Sequence, residues 1–427
     1  MNFLKSKDVD AGILLFSGAT DWDDVGRKTN QLPRSPNTIW QPVKLAALED
    51  VQIEYVSSGP AAVHTFAITT EGKVYSWGRN EKGQLGLNDL KDRKCPTLVT
   101  ALDGYRVVKA SPGKNHSLFL TDKGQVLSCG ENIKSQCGVK GNKIYKTPVL
   151  VTYDGPPALR ISAGQDFSAL VDVQGNVWTW GSPEYGQCGN NTDGKFIEKA
   201  GREDFVYVEE PYRVSLYVEK DPKTKKATPI PAVNIKEISC GHNHCVAIDD
   251  RYRAFSWGFG GYGRLGHSDT GNEHVPRLIK FLDGPRRGIR QVMAGGKFNI
   301  AISEIPGTVY MWGQYTGAKE ANMYPKPIAD LSGWIVRSMG CGTKGWMIAA
   351  DESVIGCAPS PCFGELAMGE NKKSSAQPTE ISKLDSVYVH SVGCGVSHSC
   401  FIVRNDTDAD KKALEKFKVL DQSELDK

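Results

Sequence analysis

The chain has 427 residues, of which 40% are hydrophobic and 24% are charged, and its formal net charge is +3. This composition is that of a soluble globular protein, long enough for several domains or for one large repeat architecture. A net charge this small does not by itself indicate nucleic acid or a membrane as a partner. No signal-peptide core and no membrane-spanning apolar stretch occur, so we expect an intracellular protein with reduced thiols.

The first predicted element is a strand within ILLFSGATDWDDVG (Ile13–Gly26). Related segments then recur along the chain, each with a strand followed by a glycine-rich loop. The clear copies are VYSWGRNEKGQLG (Val74–Gly86), VLSCGENIKSQCG (Val126–Gly138), VWTWGSPEYGQCG (Val177–Gly189) and AFSWGFGGYGRLG (Ala254–Gly266). Weaker copies are VYMWGQYTG (Val309–Gly317) and VIGCAPSPCFGELAMG (Val354–Gly369).

A second signature precedes most copies, with a glycine followed by histidine or an aromatic residue. Its spacing to the glycine of the next strand is constant: 14 residues from His64 to Gly78 and again from His116 to Gly130. Between the two signatures lies a polar turn that contains glycine, which is typical of a β-hairpin. The spacing therefore indicates one supersecondary unit used repeatedly.

The unit period of about 50 residues is typical of propeller blades, and seven units fill the chain. We predict an all-β, seven-bladed β-propeller over residues 11–404. The last histidine signature, Gly395–Ser399, has no hairpin partner after it, whereas Ile13–Gly26 has none before it. The N-terminal strand is therefore expected to complete the last blade and to remove its open edge.

The largest irregularity is an insertion of about 25 residues between Asn190 and Lys236, judged against the period of about 50 residues in the neighbouring units. Its sequence resembles a projecting hairpin with a lysine-rich turn, Lys220–Lys226. Loops that leave a rigid scaffold are favoured binding elements, although a solvated extension without function is an open alternative. The residues proposed to bind a partner are Tyr212, Arg213, Lys220, Lys223, Lys225 and Lys226.

Enzymatic chemistry is the weakest hypothesis, because each candidate constellation has a structural explanation. GFGGYG (Gly258–Gly263) superficially matches a dinucleotide fingerprint, but it is one repeat loop among seven. Pairs such as Cys240 and Cys245 lack the second pair that a zinc site needs. The repeat histidines are expected to hydrogen-bond within their blades and to fix packing between neighbours: His64, His116, His244 and His398. We predict no catalytic residue, no metal site and no cofactor, and we interpret Arg286, Arg287 and Arg290 as an ordinary basic turn.

Residues 405–427 form a charged C-terminal tail with Leu414, Phe417 and Leu420 at near-helical spacing. A short docking helix is one interpretation, but a frayed charged terminus is favoured.

The pattern WGxNxxGQLG with GxxHS resembles the regulator of chromosome condensation repeat, over nearly the whole chain. Longer matches resemble the telophase disc branch of that family: GATDWDDVGRK (Gly18–Lys28), WGRNEKGQLG (Trp77–Gly86), PEYGQCGNNTDGKFI (Pro183–Ile197), WGFGGYGRLGH (Trp257–His267) and AADES (Ala349–Ser353). The family fold is a seven-bladed propeller, which agrees with the repeat count. The resemblance implies a propeller face that binds a small GTPase, with exchange driven by differential affinity rather than by bond chemistry.

For the telophase disc branch, the implied partners are Rac, Ral and Arf type GTPases, microtubules and the chromosomal passenger complex at the centromere. Two departures from the family narrow this expectation. The founding member's exchange wedge lies inside the third Trp-Gly loop, whereas Trp180–Gly189 has no insertion, which argues against exchange on Ran. Residues 1–12 are too short for the long basic N-terminal tail of the branch, so no nuclear signal is evident.

Two hypotheses follow. The protein regulates a small GTPase in mitosis and cytoskeletal organisation, as exchange factor or sequestering binder, or it is a non-exchanging scaffold on centromeres or microtubules. We expect a monomer located at chromosomes, in the nucleus or in the cytoplasm and on the cytoskeleton, with nucleic-acid binding left open.

Overall fold

The repeat units fold as four-stranded antiparallel sheets that follow one another along the chain. The structure is a computed structural model that describes residues 10–22, 25, 38–198, 201–314, 321–360 and 363–425. The N-terminal strands are β1 (Ile13–Gly18) and β2 (Ile39–Leu45). Blade 1 contains β3 (Ile53–Val56), β4 (His64–Thr69), β5 (Val74–Gly78) and β6 (Arg93–Leu98). Blade 2 contains β7 (Val107–Pro112), β8 (His116–Thr121), β9 (Val126–Glu131) and β10 (Ile144–Val151).

Blades 3 and 4 are separated by the insertion. Blade 3 begins with β11 (Ala158–Ala163), β12 (Phe167–Asp172) and β13 (Val177–Gly181). Next come the short strands β14 (Lys195–Ile197) and β15 (Glu203–Phe205), and then β16 (Val208–Val214), the outer strand of blade 3. The short strands β17 (Val218–Lys220) and β18 (Ala227–Pro229) precede blade 4. Blade 4 contains β19 (Ile235–Cys240), β20 (His244–Asp249), β21 (Ala254–Gly258) and β22 (Glu273–Leu278).

The remaining strands complete the ring. Blade 5 contains β23 (Ile289–Ala294), β24 (Phe298–Ser303), β25 (Val309–Gly313) and β26 (Asn322–Pro327). Blade 6 contains β27 (Val336–Cys341), β28 (Trp346–Ala350), β29 (Ser353–Ala358) and β30 (Ser375–Glu380). Blade 7 starts with β31 (Val389–Cys394) and β32 (His398–Val403). The C-terminal elements are α1 (Asp408–Leu414), β33 (Val419–Leu420) and α2 (Gln422–Leu425). One-turn 3-10 helices occupy Ala46–Leu48, Thr100–Leu102, Gly261–Gly263, Lys280–Leu282, Ala329–Leu331 and Ser382–Leu384.

The ring is closed as the sequence predicts, by N-terminal strands in the last blade. The strand order in blade 7 is β31-β32-β1-β2-β33, and β1 pairs with β32 from Ile13 opposite Val403 to Gly18 opposite His398. The first strands of neighbouring blades contact one another around the whole ring. The prediction of a seven-bladed propeller is therefore confirmed, and the closure uses two N-terminal strands rather than one.

Contacts between blades are made by the repeat residues themselves. The Trp180 indole donates to the carbonyl of Gln136 in the preceding blade at 2.9 Å, and Trp257 donates to that of Gln187 at 2.9 Å. The His64 Nε2 lies 2.7 Å from the Ser117 hydroxyl of the next blade. The prediction that the histidines bond within their own blade is therefore wrong for His64, and so it is for His116 and His244, which reach Ser168 and Asn299. Their predicted role in packing between blades is confirmed.

The C-terminal tail is ordered and packed, so the favoured interpretation of a frayed terminus is wrong. A capping box between Thr407 and Asp410 begins α1, and the Arg404 guanidinium donates two hydrogen bonds of 3.0 Å to the Asp410 carboxylate. Leu414 and Phe417 are buried in the core of blades 6 and 7. The short strand β33 extends the sheet beside β2. No helix in the described ranges is long and apolar enough to cross a membrane.

Candidate functional site

One face of the ring, here called the loop face, carries the long loops between the third and fourth strands of each blade. In blades 1 to 4 these loops are residues 79–92, 132–143, 182–207 and 259–272. The short turns between first and second strands lie on the same face, because antiparallel strands alternate in direction. The opposite face, which carries the other turns, is called the turn face.

Side chains within each loop fix its shape by bonding to the backbone. The Asn80 amide oxygen accepts from the Leu85 N–H at 3.0 Å, and the Gln84 amide oxygen accepts from the Lys82 N–H at 2.9 Å. The same pattern recurs in blade 2 at Asn132 and Gln136. Counted from the Trp or Cys that precedes the strand's last glycine, the sixth residue of each repeat is Lys82 in blade 1. The hydrogen bonds to the loop backbone hold this residue at the boundary with the next blade.

That sixth residue contacts the following blade all along the arc from blade 1 to blade 5. The Lys82 ammonium lies 2.9 Å from the Glu131 carboxylate, and the Lys134 ammonium lies 2.8 Å from that of Asp166. In blades 3 and 4 the chemistry changes, because the sixth residue is tyrosine. The Tyr185 ring lies 4.8 Å from that of Phe259, measured between centroids.

The result is a cluster of aromatic and cationic side chains over blades 3 to 5, here called the aromatic patch. Its members are Tyr185, Phe259, Tyr262, Arg264 and Lys297. The Arg264 guanidinium lies 4.6 Å from the Phe259 centroid, and the Lys297 ammonium lies 4.7 Å from the Tyr262 centroid. Burial lowers the pKa of Arg264 to about 10, so the side chain stays charged at neutral pH. Tyr262 is 44% exposed, which leaves its ring available to a partner.

The predicted hairpin around the lysine-rich turn is present as β17–β18, but it is short, and the insertion also forms another hairpin, β14–β15. The run Val208–Val214 completes blade 3, pairing with β13 from Val177 opposite Val214 to Gly181 opposite Val208. The alternation of residues in this run fits a hairpin arm and an outer blade strand equally well, so the sequence alone did not distinguish them. The first hairpin, β14–β15, belongs to the third loop, and the second, β17–β18, lies at the outer edge of blade 4.

The hairpin β14–β15 stands on the loop face and exposes apolar side chains at its base and along one strand. Ile197 is 72% exposed, Val206 is 63% exposed and Phe196 is 40% exposed. An ion pair of 2.6 Å between Lys195 and Glu203 joins its two strands. Trp180–Gly189 itself has no insertion, but the extra residues follow directly in the same loop. The third loop is therefore 26 residues long, against 14 in blades 1 and 4.

The predicted partner-binding residues are distributed over two blades. Tyr212 and Arg213 lie on β16, where both are exposed and the Arg213 guanidinium donates to the Asn176 amide oxygen at 2.6 Å. The four lysines lie on the hairpin β17–β18. Of these, Lys220 pairs with Glu273 at 2.5 Å and Lys225 pairs with Asp269 at 3.3 Å.

Lys223 and Lys226 are exposed, and neither forms an ion pair with another described residue. The structure thus brings the four lysines together but separates them from Tyr212 and Arg213. Whether any of the six binds a partner stays a prediction.

Sequence reasoning missed the aromatic patch and the apolar side chains of β14–β15. The signal for the patch is visible once the repeats are aligned, since tyrosine replaces lysine at the sixth position in blades 3 and 4, as Tyr185 and Tyr262. The hairpin has no such signal, because the short run at Phe196 gives no alternation that distinguishes it from an outer strand.

The alternatives weighed for chemistry have structural roles. Gly258–Gly263 follows a strand and contains a single 3-10 turn, not the α-helix of a dinucleotide-binding unit. Cys240 and Cys245 are buried cross-strand partners with their sulfurs 3.5 Å apart. Cys362 and Gly317 lie outside the described residues. Within the described ranges, no group of three or more His, Cys, Asp and Glu side chains is placed to hold a metal ion.

The arginines of the basic turn at 286–290 also contact their own protein. The Arg287 guanidinium lies 5.2 Å from the Phe281 centroid, and Arg290 donates to the Val336 carbonyl at 3.0 Å.

Comparison with known proteins agrees with this architecture. A family model for the RCC1-like domain matches residues 14–401. The chain is 44% identical to the RCC2 homolog of Danio rerio over 415 residues, covering 95% of this chain and 83% of that protein. It is 42% identical to RCC2 of Homo sapiens over 415 residues, covering 95% and 78%.

Two solved structures share the fold. Human WBSCR16 superposes with a TM-score of 0.73 at 21% identity, covering 93% of this chain and 100% of that one. Prp20p from Saccharomyces cerevisiae, whose structure was reported with its binding properties to Gsp1p and histones, superposes with a TM-score of 0.72 at 22% identity, covering 96% and 95%. The repeat pattern, the ring and these matches lead to one conclusion: the chain belongs to the RCC1-like domain family, within which it is most like the RCC2 proteins.

Proposed function

We propose that this protein regulates a small GTPase by binding it on the loop face, at the hairpin β14–β15 and the aromatic patch. The observation that carries the proposal is the exposed apolar surface of Ile197, Val206 and Phe196 on a hairpin that stands out from the ring. Apolar side chains exposed together on a rigid scaffold are typical of protein interfaces. On the same face, Tyr262 is of a residue type that often carries binding energy at interfaces, and the charge of Lys297 can steer an acidic partner.

Family membership supports the choice of partner. Prp20p, which shares the fold, binds the small GTPase Gsp1. The extra residues of this chain, at 190–207, follow Trp180–Gly189 and enlarge the third loop on the loop face. We therefore assign the GTPase contact to the loop face rather than to the lysine hairpin. Rac, Ral and Arf types are the candidates, in mitosis and cytoskeletal organisation.

The proposed activity needs no bond chemistry. A protein that binds the nucleotide-free GTPase more tightly than the loaded form expels the nucleotide, and the reverse preference makes it a sequestering binder. The exposed apolar side chains of β14–β15 are suited to either role, because they can be buried against a partner.

The test is release of a fluorescent nucleotide from a panel of Rac, Ral and Arf GTPases, with binding measured in parallel by calorimetry. Ile197→Asp and Val206→Asp place charges on the proposed contact while leaving the blade core untouched. Val173→Asp is the matched control, because Val173 is exposed on the turn face of the same blade. We expect the first two substitutions to weaken binding at least about tenfold, and the control to leave it unchanged.

Accelerated release by the wild type supports exchange, and binding without acceleration supports sequestration. The proposal fails if no GTPase binds, or if Val173→Asp weakens binding as much as Ile197→Asp does.

A second candidate function is a scaffold on microtubules or in the chromosomal passenger complex. The observation that favours it is the exposed pair Lys223 and Lys226 at the tip of β17–β18. Attachment through these lysines to an acidic surface would weaken steeply as salt is added. Cosedimentation with microtubules over a series of salt concentrations, with Lys223→Ala and Lys226→Ala, tests this candidate.

A further inference from the structure

The central channel of the ring is lined by two cations that the described residues neutralise poorly. The first strands of the blades line it, and their third residues lie at the same register because each follows the same bulge. In blades 2, 3 and 4 these residues are Lys109, Arg160 and Glu237. All three are partly buried.

Serines on the same strands show on which side of the sheet Lys109 and Arg160 lie. Two residues further along the same strands, Ser111 accepts from the Ala163 N–H of the next blade and Ser162 accepts from the Cys240 N–H, both at 2.9 Å. Alternate residues of a strand share one side of the sheet. Lys109 and Arg160 therefore lie on the side of the serines, along the inner wall of the ring.

Lys109 and Arg160 lie close enough for their positive charges to repel, and nearby groups neutralise them poorly. The Lys109 ammonium makes no hydrogen bond and no ion pair to another described residue. Among the described residues, the Arg160 Nη1 donates to the carbonyl of its neighbour Leu159, at 3.0 Å, and its buried Nε has no partner. Burial and the Arg160 charge lower the pKa of Lys109, and Glu237 opposes that effect. Two positive charges thus face one carboxylate.

The channel is closed on the loop face by residues 57–62, the turn of blade 1. The Pro60 carbonyl accepts from the Thr343 hydroxyl at 2.5 Å and lies 3.1 Å from His242 Nε2, so three blades are joined across the axis. Gly59, Pro60, Ala61 and Ala62 are buried there. This turn covers the channel on the loop face, so a ligand of Lys109 and Arg160 would reach them from the turn face.

We propose that Lys109 and Arg160 form an anion-binding site in this pit, and that its ligand is a small oxyanion of the phosphate class. Arginine supplies a planar set of N–H donors that matches phosphate oxygens, and lysine supplies a point charge. An oxyanion would satisfy the free Nε of Arg160 and the unpaired ammonium of Lys109 together. This site is separate from the GTPase contact, which lies on the loop face.

The test is calorimetric titration of pyrophosphate into the full-length protein at constant ionic strength. Lys109→Met and Arg160→Met should each weaken binding about tenfold or more, since each removes a charge-assisted hydrogen bond. Glu237→Gln should strengthen binding, because it removes the one carboxylate that repels the anion. Lys123→Met is the matched control, an exposed lysine at a turn of the same blade as Lys109, and should change nothing.

Thermal unfolding gives a second measurement on the same variants. Pyrophosphate should raise the Tm of the wild type and not that of Lys109→Met. If Lys109→Met does not fold, Glu237→Gln decides alone, and unchanged or weaker binding in that variant rejects the site. The site is also rejected if the wild type binds no pyrophosphate, or if Lys123→Met weakens binding as much as Lys109→Met does.

Discussion

The two hairpins of the insertion differ in how they are attached to the ring. The hairpin β17–β18 is anchored: Tyr217 and Val218 are buried, the Tyr217 ring packs 5.5 Å from that of Phe255, and Lys220 pairs with Glu273. The hairpin β14–β15 is held by its own ion pair and exposes Ile197 instead. One insertion thus provides a part that covers a blade edge and a part that presents apolar surface.

The difference teaches that clustered lysines alone do not identify a binding element, because lysines also attach a hairpin to its own blade. The prediction of a binding site rested on the lysines of the hairpin β17–β18. Two of the four, Lys220 and Lys225, form ion pairs with blade 4 instead. Exposed apolar side chains that no blade covers are the stronger indication of a partner, because their exposure to water is unfavourable until they are covered. The comparison predicts that stability depends on the anchored hairpin and that binding depends on the free one.

The largest expected effect is a loss of folding stability at acid pH. It depends on buried histidines of the ring and on neither hairpin. Burial lowers the pKa of His116 to about 4, of His244 to about 3 and of His398 to about 4. The unfolded chain therefore takes up protons between about pH 6.5 and pH 4 that the folded ring does not, so stability falls as the pH decreases through that range. By pH 5 the loss is about 2 kcal/mol for each buried histidine, measured by urea unfolding at several pH values.

The control for this effect is present in the sequence, because blades 3 and 5 carry Phe167 and Phe298 at the histidine position. In His116→Phe the loss of stability between pH 6.5 and pH 5 should be smaller than in the wild type by about the contribution of one histidine. An identical pH dependence in the two proteins would contradict the assignment. Neither hairpin contains histidine, so partner binding should be much less sensitive over this range.

The next effect tests the anchor itself. Tyr217→Ala removes a buried ring that packs against Phe255, and the cavity should lower the free energy of unfolding by about 3 kcal/mol. Equilibrium unfolding in urea measures the change. The matched substitution in the free hairpin is Phe196→Ala, which should cost less than about 1 kcal/mol. Equal losses in the two variants would show that the hairpins are equally integrated into the fold.

The sequence was sufficient to predict the ring because the same residues recur where the same contacts recur. Trp180 and Trp257 donate to equivalent carbonyls, and the glycines of their loops allow the left-handed backbone that the tight turns need, with φ of 86° at Gly186. Closure was predictable because an unpaired strand pattern at Ile13 complements the one missing after His398.

The insertion and the tail were not predictable in the same way, because they occur once. Val208–Val214 alternates as an outer strand or a hairpin arm would, and only the place of β16 in blade 3 decides between them. Leu414 and Phe417 indicate a helix, but the surface that buries them is formed by residues distant in the chain. The aromatic patch likewise depends on contacts between loops of different blades, at the boundaries of blade 4 with blades 3 and 5.

A smaller effect concerns the ion pairs of the two hairpins. Glu273 accepts from Lys220 and, at 2.9 Å, from the buried Arg277, so Glu273→Gln leaves Asp269, at 3.4 Å, as the remaining described carboxylate beside a buried guanidinium. We expect a loss of about 2 kcal/mol in the free energy of unfolding. The counterpart Glu203→Gln breaks the pair with Lys195, where Glu203 is 60% exposed, and should cost well under about 1 kcal/mol. The reverse order would show that β14–β15 depends on its charges more than β17–β18 does.

The smallest effect on stability is the most informative about function. Ile197→Ala removes a side chain that is 72% exposed, so the free energy of unfolding should change by less than about 0.5 kcal/mol. Affinity for the GTPase should nevertheless fall, because the contact that covers Ile197 exists only in the complex. Calorimetric titration beside urea unfolding of the same preparation gives both numbers. A variant that loses stability and keeps affinity would mean that Ile197 packs on the ring in solution, and the contrast between the free and the anchored hairpin would then not hold.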